Sequence, residues 1–186
     1  MLAYLFWHRP HACVDMARYE AALMRFHASL ARAAPPGLVA SGSFRIEAVP
    51  WLGDRPGYED WNLLQGSWAM DPLNAFAVVG ATQAAHDDVA AGMEDGHGGL
   101  YRLLWGDPTL PSDSVVVWLT RPRGIEWRPI LEAIRDRTGN ATLWRRQMVL
   151  GPAPEFAVVL RQGQDLPIPD AWRARFVPRV RLVPAG

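Results

Sequence analysis

Two stretches of the chain follow one plan. Tyr4-Leu-Phe-Trp-His-Arg-Pro10 and Val116-Val-Trp-Leu-Thr-Arg-Pro122 are both apolar, aromatic, strand-like segments that end in Arg-Pro and lead into a helix-patterned run. Repetition of this kind constrains architecture more than any single motif, because each copy must find a partner for the face it cannot bury alone. It predicts two similar halves joined by a short connection.

The first half reads as six elements. Residues 2 to 8 are apolar and aromatic, as a strand requires. Asp15 is the expected N-cap of a helix running to about Ala33, with Met16, Tyr19, Leu23, Phe26 and Leu30 spaced three or four apart on one face. Pro35-Pro-Gly37 ends it. Leu38 to Val49 alternates with a period of two and predicts a strand, and a turn-rich loop from Pro50 to Gly57 leads to a third, Tyr58 to Gln65. An Ala-rich helical stretch, 67 to 93, is expected to break near Gly80. Gly96-His-Gly-Gly99 reads as a turn before a fourth strand, Leu100 to Trp105.

The second half repeats the order in shorter form. Residues 107 to 112 make a linker between unit 1 to 106 and unit 113 to 186. Strands are expected at 113 to 120, 140 to 150 and 155 to 162, a helix at 126 to 138, a turn or short helix at Asp170 to Arg175, and a last strand at Val180 to Val183. Arg9-Pro10 matches Arg121-Pro122, and Glu59 matches Glu155. The order βαββαβ is the ferredoxin-like plan. The expected fold class is α+β, with two tandem ferredoxin-like units forming one pseudo-symmetric α+β barrel. By this element order the chain resembles the dimeric α+β barrel superfamily, in which two such units join their sheets into a barrel with helices outside. That resemblance implies a small-molecule cavity and, in many members, small oxygenase, isomerase or lyase activity, often without a metal.

Composition narrows the chemistry. Nineteen basic against nineteen acidic residues leave no net field to draw nucleic acid or anionic lipid. The arginines at 173, 175, 179 and 181 form a local cluster, read as solvated. No lysine occurs anywhere in the sequence, which excludes Schiff-base catalysis, pyridoxal phosphate linkage and a P-loop lysine. One cysteine, Cys13, allows neither an internal disulfide nor a multi-thiolate cluster, and reads as a small apolar residue in a reducing compartment. No apolar run approaches the ~18 residues of a membrane span, and the start lacks signal-peptide character, so a cytoplasmic protein is expected. No cofactor motif is present, so no cofactor or metal is expected.

In the resembled barrel, Leu5, Trp7, Phe44, Ile46, Trp61, Leu63, Tyr101 and Leu103 would face the helices. The opposite face would line an internal cavity: Tyr4, Phe6, His8, Ser43, Arg45, Glu47, Tyr58, Asp60, Asn62 and Arg102, joined from the second half by Val116, Trp118, Thr120, Phe156, Val158 and Leu160. Aromatic walls with a few convergent polar groups suit a small-molecule ligand. Tyr4, Phe6, Tyr58, Asn62 and Trp118 would contact it, and Arg45 or Arg102 would hold an anionic group. His8 beside Asp60 or Glu47 would make an acid/base pair, the carboxylate fixing the imidazole. A satisfied ion-pair network is the competing account of these charges. His27 reads as a helix boundary, His97 as a turn residue and His86 as a solvated helix residue. Trp51 and Trp68 are candidates for a pocket rim. The function expected is small-molecule binding. The alternatives are a cofactor-independent small oxygenase or isomerase using the His/carboxylate pair, and an interaction module whose aromatic surface would pair with itself, as in a homodimer, or with another chain.

Overall fold

A computed structural model describes residues 1–139, 141–149, 152–161, 163, 164, 166 and 168–183. They form eight strands, β1 (Leu2–Pro10), β2 (Leu38–Val49), β3 (Arg55–Leu64), β4 (Met93–Trp105), β5 (Asp113–Thr120), β6 (Thr142–Val149), β7 (Phe156–Arg161) and β8 (Arg173–Arg181), and four α-helices, α1 (Met16–Ala33) after β1, α2 (Met70–Ala77) and α3 (Gly80–Gly92) between β3 and β4, and α4 (Arg128–Thr138) after β5. The strands close into an antiparallel barrel in the order β1-β3-β2-β8-β5-β7-β6-β4. Within it β4, β1, β3 and β2 adjoin in the first half, and β6, β7, β5 and β8 in the second. The halves meet at the β2–β8 and β4–β6 seams.

Local chemistry explains the element ends. The Asp15 carboxylate accepts from the Arg18 backbone N–H at 2.9 Å, satisfying one of the orphan donors of α1. Ala34 closes the same helix in the left-handed region, at φ 47°. Gly80, at φ +59°, separates α2 from α3 as the sequence implies. Tyr19, Leu23 and Leu30 are buried on α1 as expected, but Met16 is exposed and His27 is buried in line with Leu23 and Leu30.

Three expectations are corrected. Gly96 to Gly99 is not a turn but part of β4, paired with His8 to Leu5 of β1. Its glycines make room for rings: a Cβ on Gly96 would lie 2.7 Å from Phe6, and one on Gly98 3.0 Å from Tyr4. The last strand begins at Arg173 rather than Val180, and no helix joins β7 to β8 among the described residues. The β8 arginines are solvated only in part: Arg173 and Arg175 are exposed, but the other two are not. Arg179 is fully buried in the barrel, and Arg181 reaches the Leu110 carbonyl from one end. Residues 140, 150, 162 and 167, expected at strand ends or in the proline turn, lie outside the described residues.

The two faces of the first-half sheet are grouped as the alternation implies but point the other way. Leu5, Trp7, Phe44, Ile46, Trp61, Leu63 and Tyr101 fill the barrel together with Trp118, Trp144, Val116 and Val177. An eight-stranded barrel has an interior just wide enough to be filled by side chains, and four tryptophans that are at most 1% exposed occupy it: Trp7, Trp61, Trp118 and Trp144. Trp51 joins them rather than rimming a pocket, with its ring 5.5 Å from that of Trp118. In the second half Trp118 pairs with Ala157, so Phe156, Val158 and Leu160 lie on the opposite face, beneath Leu131 and Ile134 of α4.

One charged cluster sits inside this apolar interior. Glu59 accepts from the indole N–H groups of Trp7 and Trp61 at 2.7 and 2.5 Å and pairs with Arg179 at 3.2 Å. The guanidinium lies over the Phe44 ring at 4.0 Å and donates to Ser114 Oγ at 2.6 Å. Burial raises the Glu59 pKa against the pull of these partners, and burial lowers that of Arg179 to about 10. The cluster ties β3 of the first half to β8 of the second.

Candidate functional site

Tyr4, Phe6 and His8 of β1 and Asp60 and Asn62 of β3 project from the outer surface of the barrel, where register places Tyr4 opposite Asn62 and Phe6 opposite Asp60. Helices α1, α2 and α3 cross above them without filling the space. The result is a cavity of about 300 Å³ with Phe26, Leu30, Met70, Leu73, Val89 and Met93 on its walls. All of its lining residues fall between Tyr4 and Met93. This space is therefore under the helices of the first half, not inside the barrel.

Asp60 is the centre of its polar floor. His8 Nε2 stands 3.3 Å from one carboxylate oxygen and His27 Nε2 3.3 Å from the other. Neither contact has the geometry of a hydrogen bond. Each imidazole is held from behind: His8 Nδ1 meets the Tyr19 hydroxyl at 2.8 Å and His27 Nδ1 the Ser41 hydroxyl at 2.5 Å. Ser41 in turn donates to Asn62 at 2.8 Å. The His8 ring is stacked between Phe6 and Tyr58. Burial by itself would raise the Asp60 pKa, but the two adjacent imidazoles outweigh it and hold the carboxyl well below its ordinary range. Tyr4 and Tyr19 are pushed up, first by burial and then by the Asp60 charge.

The other expected residues divide. Tyr58 is buried beside His8, and its hydroxyl donates to Glu20 at 2.9 Å. Arg45 is exposed and gives both arms to the same Glu20 at 2.8 and 2.7 Å, so no cavity anion is in its reach. Glu47 and Arg102 are exposed on strand surfaces away from the cavity. Trp118 lies in the barrel core. Glu47 thus has no place beside His8; the second residue against the Asp60 carboxylate is His27, whose spacing of four from Leu23 and three from Leu30 was the available signal. His86 lines the cavity from α3 instead of being simply solvated. His97 lies beside the Trp7 ring, and its pKa is lowered by burial against the pull of Asp95. Trp68 and Cys13 are exposed. Among the described residues no His, Cys, Asp and Glu side chains converge in metal-binding geometry, and both His8 and His27 direct Nε2 at the carboxylate. No helix among them is long and apolar enough to cross a membrane.

Fold and site together define an α+β protein built on a closed eight-stranded antiparallel barrel, with a small-molecule-sized cavity between sheet and helices. Two solved structures share this architecture. A candidate monooxygenase from Lactobacillus acidophilus superposes with a TM-score of 0.62 over 98% of this chain and 94% of its own, at 8% identity. A candidate monooxygenase from Fusobacterium nucleatum gives 0.63 over 98% and 92%, at 9% identity. At such identities the likeness is one of fold. No protein-family model and no curated protein matches the chain.

Proposed function

We propose that the chain binds a small, largely apolar or aromatic molecule in the cavity beneath α1, α2 and α3, with its polar end at Asp60. One observation carries this reading: a cavity of about 300 Å³ walled by aromatic, aliphatic and thioether side chains has a single buried carboxylate at its floor. Apolar walls supply affinity, and an anion fixed between two imidazoles supplies orientation without needing to be ordered on binding. A ligand hydroxyl or N–H donating to Asp60 matches that floor. The test is titration with 1-naphthol followed by amide NMR. Shifts confined to the cavity residues, lost in an Ala77→Trp variant that fills the space, are expected. Shifts spread over the barrel, or unchanged in Ala77→Trp, would overturn the reading.

A small oxygenase activity is the second reading, supported by the two structural neighbours and by the His8–Asp60 contact. His8 Nδ1 is hydrogen-bonded to Tyr19, and its Nε2 stands 3.3 Å from Asp60. A proton leaving a ligand would thus pass to the Asp60–His8 pair as a unit, not to a free imidazole. Oxygen uptake with an electron-rich hydroxyarene, abolished by Asp60→Asn, would support it; uptake unaffected by that substitution would remove the pair from the reaction.

We also infer that the two halves are tandem ferredoxin-like units and that the chain is a single-chain counterpart of the dimeric α+β barrel superfamily. The supporting observation is the strand order, β4-β1-β3-β2 in one half and β8-β5-β7-β6 in the other, which is the same order in terms of each half's own first to fourth strands.

A further inference from the structure

Both Arg-Pro pairs of the sequence have their arginine on a carboxylate, but only the second has further arginines beside it in a cleft. Arg9, near the end of β1, lies between Glu94 at 3.3 Å and Asp95 at 3.6 Å and donates to the Leu52 carbonyl. Arg121, just beyond β5, has its Nε on Glu155 at 3.0 Å and its Nη1 on the Ile125 carbonyl at 2.8 Å. Glu155 is shared with Arg145 at 3.6 Å, so its charge is already committed. Two further arginines, Arg123 and Arg173, stand beside Arg121, and among the described residues neither side chain has an ion pair or hydrogen bond. Glu126 and Asp170, the acidic residues nearest in sequence, pair with neither.

These groups are gathered by the fold. Thr120 and Arg173 are direct cross-strand partners at the end of the β5–β8 ladder. With Arg121, Pro122, Arg123 and Ala171 they line a cleft of about 570 Å³. The chain as a whole has no net charge, so no general positive field accounts for the three arginines that line this cleft. Guanidinium groups present planar forks of donors that match the oxygens of a carboxylate or phosphate.

We propose that this cleft binds a small oxyanion, a phosphate- or carboxylate-bearing molecule, between Arg123 and Arg173, with Thr120 on the wall and Arg121 as a fixed background charge. The convergence of the arginines on one cleft, in a neutral chain, fits a small ligand better than a polyanion tracked along a basic stripe. The site lies in the second half and shares no residue with the cavity under α1 to α3.

Calorimetric titration of the whole chain with inorganic pyrophosphate and with citrate, at low ionic strength, tests the assignment. Saturable binding with one site is expected, weakened about tenfold or more by Arg123→Gln and by Arg173→Gln. Arg18→Gln, which alters an exposed arginine on α1, should leave it unchanged. Tighter binding of pyrophosphate identifies a phosphate ligand, and tighter binding of citrate a carboxylate. The proposal fails if neither anion saturates, if Arg18→Gln weakens binding as much as the cleft variants, or if a heparin oligosaccharide binds more tightly than both small anions.

Discussion

His27 Nε2 lies 3.3 Å from Asp60 Oδ1, on the opposite side of the carboxylate from His8. The carboxylate is thus braced by α1 as well as by β1, and the helix that roofs the cavity is pinned to its floor. All three groups are buried or nearly so, so their interaction is weakly screened.

Asp60→Asn should destabilise the fold by about 3 kcal/mol at neutral pH, the scale for removing one member of a buried charged network. The pH dependence follows from the sign of the shift. The folded-state pKa is depressed below the ordinary 3.8, so the Asp60 contribution is fully present above the unfolded-state value and is lost as the pH falls from there toward the folded one. Urea denaturation across acidic pH should show a steep loss in the wild type and a shallower one in Asp60→Asn. Parallel curves would mean that Asp60 is not the titrating group.

Glu59 and Arg179 should behave as one unit. Glu59→Gln or Arg179→Met alone leaves the other charge buried without a counter-ion, at a cost of about 3–5 kcal/mol. The double variant should lose clearly less than the sum, because neither charge remains. A thermodynamic cycle from chemical denaturation measures this coupling, and additive losses would show that the pair acts independently despite its 3.2 Å contact.

Ala34→Gly should stabilise the chain by about 0.5–1 kcal/mol. Ala34 ends α1 in the left-handed region, at φ 47°, with its N–H on the Leu30 carbonyl. A Cβ is unfavourable there and glycine relieves it. The unfolded chain gains freedom from the same change, which limits the net benefit. A rise in the urea midpoint at unchanged slope is the expected readout.

Local signals made most elements legible. The Asp15 cap, the proline stop after α1 and the alternation of β2 fixed their segments because the determinants lie within a few residues of each other. Period-two alternation also grouped Tyr4, Phe6 and His8 with Asp60 and Asn62. It could not say which group faces inward, since a two-residue period is identical for either side of a sheet. That choice rests on volume: only the tryptophan-rich face can fill the barrel, and its fillers Trp118 and Trp144 come from the distant half. The same nonlocality hid Glu59, whose neutralising partner is Arg179, and His27, whose partner is on β3. Gly96 to Gly99 looked like a turn because glycine signals either φ freedom or close approach, and here Phe6 and Tyr4 make it the latter.

Two glycines of the site region should therefore respond differently to alanine. At Gly57 the added Cβ would meet the His8 backbone carbonyl oxygen at 2.6 Å. A carbonyl in a strand ladder cannot swing aside, so β1 and β3 must separate where His8 faces Tyr58. Gly57→Ala should cost about 2–3 kcal/mol, the upper range for overpacking, and loosen the floor of the cavity. At Gly96 the new methyl would meet the far end of the Phe6 ring at 2.7 Å and the Met93 sulfur at 3.1 Å. Both are side-chain ends able to shift, and alanine is the better strand residue, so Gly96→Ala should cost about 1 kcal/mol or less. Because Phe6 and Met93 line the cavity, this variant should change 1-naphthol affinity by more than its small stability loss implies. Equal destabilisation by the two substitutions would show that Phe6 is as immobile as backbone.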